Sequence, residues 1–385
     1  MLALCLLALA TLPLARSAPR PVPAQLFGRA AGALSGEGPL RAGAARVRIQ
    51  LAPDAVIGGY AGRHRAHGEE VPLYARALAF SEPGVTAVIA SVDAMLVPGS
   101  LEAAVAAPPC LLLAATHTHT GAGGTWDALF PSWAGNGAFD KAQRDAVAEA
   151  TSEAIRQALA AQKPAQLLVA REEWQGGPAR VRSAGPLDPQ LSVLRFTGVG
   201  TLVVYGMHPT SAPRGKLSAD WPGRAAELLE RDGLPALVLQ GAGGNATYSG
   251  EDPGALVAAE AQRLLAQAAP AQTPRVSCST ALLALPPPQA SPRTPWLSRR
   301  AVANVIGSAD DGFVEETRIT LGELQLQGVP GEPVGELGLR ARPRVLIGLA
   351  DGYAGYVETA ERWSEGAGES SKTYYGPSLA QALGL

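Results

Sequence analysis

The sequence predicts a mixed α/β (α+β) fold, a single domain with mixed β-sheets flanked by helices. Three observations predict it. Short apolar, β-branched runs recur along the 385 residues, interrupted irregularly by stretches of helical period. Hydrophobic residues make up 47% and charged ones 17%, ample for one large core. No linker, repeat or low-complexity tract divides the chain beyond its leader.

The elements follow in order. After a Pro- and Gly-rich stretch, residues 46–51 alternate polar and apolar. Residues 74–80, 86–97 and 110–116 are apolar and partly β-branched, as buried strands are. Residues 140–162 form the clearest helix. Asp140 can cap it, and Val147, Ala150, Ala154, Ile155, Ala158 and Leu159 make one apolar stripe. Strands are expected over 166–174, 191–196, 201–208 and 236–240, and helices over 221–231 and 254–268. Residues 275–285 read as a strand, and Pro286 to Pro288 force an extended loop. Residues 318–327 and 344–350 read as strands, with a short helix between them from about Val334.

Residues 1–15 are almost wholly apolar, and Ala15-Arg16-Ser17 fits a small-x-small cleavage site. Residues 1–17 are therefore expected to be an export signal and 18–385 the mature domain, in a secreted or periplasmic protein. The apolar run is shorter than the roughly 20 residues a membrane-spanning helix needs. A formal net charge of −2 gives no support for a nucleic-acid partner. No Lys/Arg run is dense enough to hold an anionic membrane by charge alone. Cys5 would leave with the signal. Cys110 and Cys278 could pair, which spacing alone does not show, and there is no cysteine-based zinc motif.

Five histidines carry the chemical signal. His64 and His67 lie in a polar, Arg-containing loop and read as solvated. His117 and His119 are two apart at the end of an apolar run, so in a strand they share a face, and imidazole nitrogen suits zinc. Alone, they read equally as two hydrogen-bonded histidines at a strand end. Gly121-Ala-Gly-Gly124 follows, which lets backbone approach a ligand closely. His208 ends another apolar run before Pro209, which stops strand pairing. By itself it reads as structural, and the His117/His119 pair raises its weight as a ligand. Glu332, in Val329-Pro-Gly-Glu-Pro333, and Tyr353 and Tyr356, in a Gly-rich stretch, are possible oxygen ligands; turn glutamates are ordinarily solvated and aromatics ordinarily pack. Residues 240–247 are a Gly-rich turn without the Lys or spacing of a phosphate loop, and they contain the sequon Asn245-Ala-Thr247. Arg76 and Arg182 are candidate carbonyl or carboxylate binders, or salt-bridge residues.

These motifs, in this order, resemble the catalytic domain of the neutral/alkaline, non-lysosomal ceramidase family. The resemblance runs from Gly59-Tyr60-Ala61, Leu73-Tyr-Ala-Arg-Ala77 and Ser91-Val-Asp93 to Thr116-His-Thr-His-Thr-Gly-Ala-Gly-Gly124. It continues through Gly206-Met-His-Pro-Thr-Ser211, Val329-Pro-Gly-Glu332, Gly348-Leu-Ala-Asp-Gly-Tyr-Ala-Gly-Tyr356 and Tyr375-Gly-Pro377.

The resemblance implies that His117, His208, Glu332 and Tyr356 hold Zn2+, that His119 acts in proton transfer, and that Arg182 faces the substrate. It implies hydrolysis of an N-acyl amide, ceramide to sphingosine and fatty acid, by a zinc-activated water. The substrate would be a small lipid amide met in transient contact with a membrane surface, and no protein partner is evident. Zinc lowers the pKa of a bound water to about 7 and polarises a carbonyl. Arg182 would stabilise the oxyanion and His119 would protonate the leaving amine.

Four departures set limits on this. The family's Gly-Asp-Val-Ser-Pro-Asn segment is Gly244-Asn-Ala-Thr-Tyr-Ser249, with Thr247 in place of serine and the acid lost. A substrate-facing tyrosine is replaced by Gly368. The loops are short. The chain ends soon after Tyr375-Gly-Pro377, where the family continues into an immunoglobulin-like domain. The alternatives are a zinc hydrolase of another amide or ester, and a non-catalytic member that binds a lipid or glycan.

Overall fold

A computed structural model describes residues 32–62, 64–128, 135–271, 275–307 and 312–385. The expected export signal lies outside the described residues. Three sheets stack with helices on their outer faces, the mixed fold that the sequence predicts.

The first sheet contains β2 (Arg41–Arg48), β3 (Tyr74–Glu82), β4 (Val85–Val92) and β5 (Leu111–Ala115); β1 (Gly32–Ser35) belongs to the third sheet. Its order is β5-β4-β3-β2, with β4 and β5 parallel and a two-residue fifth strand, Lys163–Pro164, antiparallel to β2 at the other edge. Helix α1 (Lys141–Ala160), capped by the Asp140 carboxylate on the Gln143 N–H at 3.1 Å, packs across it. The period of two decides which residues meet the helix. Ala75, Ala77 and Ala79 turn small side chains to α1, while Leu78 and Phe80 point the other way into the central core.

The second sheet is β6 (Leu167–Glu173), β7 (Gln190–Phe196), β8 (Gly200–Tyr205) and β9 (Ala236–Gln240), with β8 and β9 parallel. Helices α2 (Asp220–Leu229) and α3 (Pro253–Gln267) cover its outer face through Trp221, Ala225, Val257 and Ala261. The third sheet is β1, β10 (Val276–Ala284), β11 (Phe313–Leu321), β12 (Leu324–Val329) and β13 (Val345–Gly348), with β12 and β13 parallel. Between β10 and β11 lies α4 (Trp296–Gly307), and between β12 and β13 lies α5 (Gly335–Ala341).

The inner faces of all three sheets share one core, in which Phe80 stacks on Phe196 at a centroid distance of 5.4 Å. A disulfide joins Cys110, just before β5, to Cys278 on β10.

Three expectations are corrected. Residues 318–327 do not form one strand. Gly322, at φ 62°, turns the chain between Leu321 and Leu324, and the two halves pair as an antiparallel hairpin. Helix α4 was not expected at all; Ala301 and Ile306 bury its inner side. Residues 41–48 rather than 46–51 form the first long strand, because β3 offers a pairing partner from Arg41 onward.

Candidate metal centre

Each sheet ends in a parallel strand pair, and the three pairs converge. Ligand sites in open α/β sheets lie at the carboxyl ends of parallel strands. His117 and His119 follow the end of β5, and His208 follows β8. Glu332 follows β12, and Tyr356 comes from the loop after β13. Three cross-links hold the ends together. The Gln240 amide donates to the Thr116 carbonyl at 3.1 Å and accepts from the Met207 N–H. The Gly244 N–H donates to the Pro333 carbonyl at 2.9 Å. The Asp351 carboxylate accepts from the N–H groups of Leu113 and Thr317, each at 3.0 Å.

The strand-face argument for His117 and His119 does not hold. Pairing of β5 stops at Ala115, and His117 sits in the left-handed region at φ 66°. The two rings still approach edge to face, 4.9 Å between centroids, because the turn brings them together. His117, Leu349, Asp351 and Asp220 are the described non-glycine residues at positive φ. The first three belong to the loops forming the centre, and Asp220 braces the backbone of Ser211 and Ala212 just after His208. Such strain concentrates at functional sites and persists only where surrounding contacts enforce it.

The donor atoms are oriented from behind. His117 Nδ1 donates to the Met95 carbonyl at 2.7 Å, and His208 Nδ1 donates to the carbonyls of Ala246 and Gly243 at 2.9 and 3.1 Å. A carbonyl can only accept, so both Nδ1 atoms carry the proton and both Nε2 atoms present lone pairs. These lone pairs face one carboxylate oxygen. Glu332 Oε2 lies 3.1 Å from His117 Nε2 and 3.0 Å from His208 Nε2. Its other oxygen accepts from the Tyr353 hydroxyl at 2.7 Å. The Tyr356 hydroxyl is 2.9 Å from His208 Nε2 and accepts from Arg182 Nη2 at 2.7 Å.

All four groups are buried, and His117 Nε2 and Glu332 Oε2 have no hydrogen-bond partner. Three lone-pair atoms facing one another out of water need a positive charge between them. The spacing is close to the ~3.3 Å edge of a tetrahedron with ~2.1 Å bonds.

His119 also belongs to a group able to hold a metal ion. Ligand atoms of His117, His119 and His208 all lie within 4.8 Å of one another. The contacts of 2.9–3.1 Å among His117, His208, Glu332 and Tyr356 make that quartet the tighter set. Both ring nitrogens of His119 are buried without partners, and its ring meets Tyr60 edge to face at 5.4 Å.

Burial shapes the acid–base chemistry. Burial, reinforced by His117 and His208, pushes His119 well below the ordinary imidazole value. Burial tends to raise Glu332, but the facing histidines outweigh it and hold the carboxyl well below its usual range. Burial, with Glu332 nearby, raises the phenols of Tyr353 and Tyr356 well above 10.

Arg182 lies at the rim, its Nη2 shared among the Tyr356 hydroxyl, the Gly244 carbonyl and Glu369, 3.1 Å away. Arg76 is a structural residue, buried in ion pairs with Asp93 at 2.9 Å and Glu230 at 3.1 Å. His64 and His67 are exposed, as expected. Asn245 is fully buried and bonded to the carbonyls of Ala184 and Pro186, so the sequon is closed to modification. The glycine run at 121–124 approaches protein rather than ligand: a Cβ at Gly123 would lie 2.4 Å from the Gly58 nitrogen. Sequence reasoning offered Tyr353 as a possible oxygen ligand, whereas it supports one through Glu332, and it missed the support of Gln240 and Asp351. Only Tyr353 carried a signal, its place three residues before Tyr356.

No family model matches the chain, and no curated protein matches it. Solved structures do. A neutral ceramidase from Pseudomonas aeruginosa is 22% identical, with a TM-score of 0.74, covering 90% of this chain and 72% of that one. A ceramidase complexed with C2 is 21% identical, with a TM-score of 0.75, covering 90% of this chain and 74% of that one. The chain shares their fold.

Proposed function

We propose that this chain is a zinc-dependent amidohydrolase that cleaves an N-acyl lipid amide, ceramide in the first instance. One observation carries the reading: the Nε2 atoms of His117 and His208 converge with Glu332 Oε2 and the Tyr356 hydroxyl at 2.9–3.1 Å. Two nitrogens and two oxygens make a donor set that suits zinc. The likeness in fold to ceramidases supports the substrate class.

When bound, zinc would supply Lewis-acid polarisation of the amide carbonyl and a lowered pKa for water. The protein's own groups do the rest. The carbonyls of Met95, Gly243 and Ala246 fix the histidine tautomers. His119, with two unpartnered ring nitrogens beside the quartet, takes a proton from the attacking water and passes it to the leaving amine. Arg182 holds the Tyr356 hydroxyl through Nη2, and its charge beside the centre would stabilise the developing oxyanion. An exported location belongs to the same reading, supported by the apolar residues 1–15 and by a disulfide of the kind that persists in oxidising compartments.

Gly368 favours a second reading, hydrolysis of another amide or ester. It lies at φ 56°, and a Cβ there would sit 2.1 Å from Glu358 Oε2, so the position has no room for a substrate-facing side chain. The test is hydrolysis of a ceramide series and short acyl amides and esters, with and without a chelator, alongside elemental analysis. Chelator-sensitive ceramide cleavage supports the first reading, and cleavage of only the small substrates supports the second. A protein that binds no zinc, or binds it and hydrolyses none of the panel, overturns both.

A further inference from the structure

We propose that the first turn of α4 is a docking tip that seats on an anionic bilayer surface beside the mouth of the metal centre. Trp296 is 76% exposed and its neighbour Leu297 is 65% exposed, more than any other large hydrophobic residue among those described. Ala301 and Ile306 are buried on the same helix, so the tip stands on an anchored element. Tryptophan and leucine together at a protein's surface match the headgroup–acyl boundary of a bilayer, where an amphipathic ring and an aliphatic group are both accommodated.

The charge around the tip selects the surface. Arg293, Arg299 and Arg300 are exposed, and none has a carboxylate partner among the described residues. Arg299 folds back on the carbonyls of Pro292 and Thr294, at 2.6 and 2.9 Å, which fixes its position and leaves its charge unneutralised. Basic residues near an anionic leaflet each add attraction, and the apolar pair adds the burial that charge alone does not supply. No helix among the described residues is long and apolar enough to cross a membrane.

The tip and the site share a loop. Ser291 Oγ lies 3.4 Å from Ser370 Oγ, and the Arg293 stem lies against Gly366. That loop carries Glu369, which holds Arg182 beside Tyr356. Docking would therefore bring the loop that holds Arg182 close to the lipid. The proposal takes its purpose from the lipid-amide reading, but its measurement needs no turnover.

Cosedimentation of the full chain with phosphatidylcholine vesicles containing roughly one-third phosphatidylserine, against phosphatidylcholine alone, tests it. The native chain should partition at least about tenfold more strongly to the anionic vesicles, and less so as salt rises. Trp296→Ser with Leu297→Ser should weaken partitioning about tenfold or more. Arg299→Gln with Arg300→Gln should remove most of the anionic preference. All four side chains are exposed, so both variants should fold, which unchanged thermal unfolding checks. No partitioning by the native chain, or equal partitioning by the Trp296/Leu297 variant, overturns the proposal. So does a solution dimer abolished by that variant, which would assign the tip to a second copy of the chain. If partitioning behaves as expected while no amide is hydrolysed, the proposed activity fails and the docking surface stands.

Discussion

His117 Nε2 lies 3.1 Å from Glu332 Oε2, and neither atom has a hydrogen-bond partner. The two residues come from different sheets, and their opposed lone pairs can be reconciled only by a cation or an extra proton. This gives Glu332→Gln an unusual expected outcome. The amide carries N–H donors of its own for the imidazole lone pairs, so removing metal should cost the variant less stability than it costs the native chain. Zinc should no longer raise its unfolding temperature. Thermal unfolding with and without chelator checks this; a variant still stabilised by zinc as much as the native chain would remove Glu332 from the ligand set.

Tyr353 touches the centre only through Glu332 Oε1, at 2.7 Å. Tyr353→Phe should leave that buried oxygen unsatisfied and weaken metal binding by about 10–100-fold. Competition against a chelator of known affinity measures it. Unchanged affinity would mean that the carboxylate needs no such orientation.

Asp351 gives a pH dependence of definite sign. Burial pushes its carboxyl up to about 7, against the opposing hydrogen bonds from Leu113 and Thr317. The folded value lies above the unfolded one, so the stability contributed by this group is full below pH ~4 and is lost as pH rises through about 7. The loss is at most about 4 kcal/mol. Denaturant unfolding from pH 4 to 8 should show a flatter profile for Asp351→Asn than for the native chain, and identical slopes would count against the assignment.

The Cys110–Cys278 disulfide closes a loop with a sequence separation of 168 and ties the start of β5 to the third sheet. Cys278→Ser should lower stability by about 2–5 kcal/mol. Comparing denaturant midpoints of the native chain with and without reductant gives the same quantity independently; an unchanged midpoint would show that the core alone holds these sheets together.

Local patterns in the sequence were legible wherever one residue's neighbours decide its state. The Asp140 cap and apolar stripe specify α1, and buried runs specify β3, β4, β7 and β9. The hairpin at Gly322 was written in the sequence as two apolar runs about a Gly-containing turn, and reading them as one strand overlooked that turn. Helix α4 was obscured because its exposed Trp296 and Leu297 break the amphipathic pattern that marks a surface helix.

By itself, the sequence determined that the chain has a large mixed core and that His117, His119, His208, Glu332 and Tyr356 stand just beyond apolar runs. A strand end can be read from where hydrophobicity stops. Tertiary structure alone decided that three parallel strand pairs meet, so that donors from distant parts of the chain come within 2.9–3.1 Å. It also decided that His117 leaves its strand with a strained backbone and that Tyr353 and Asp351 support the centre. Those relations are long-range. They arise when burying three apolar sheet faces on one another fixes the positions of their polar ends, a consequence of packing that no local pattern encodes.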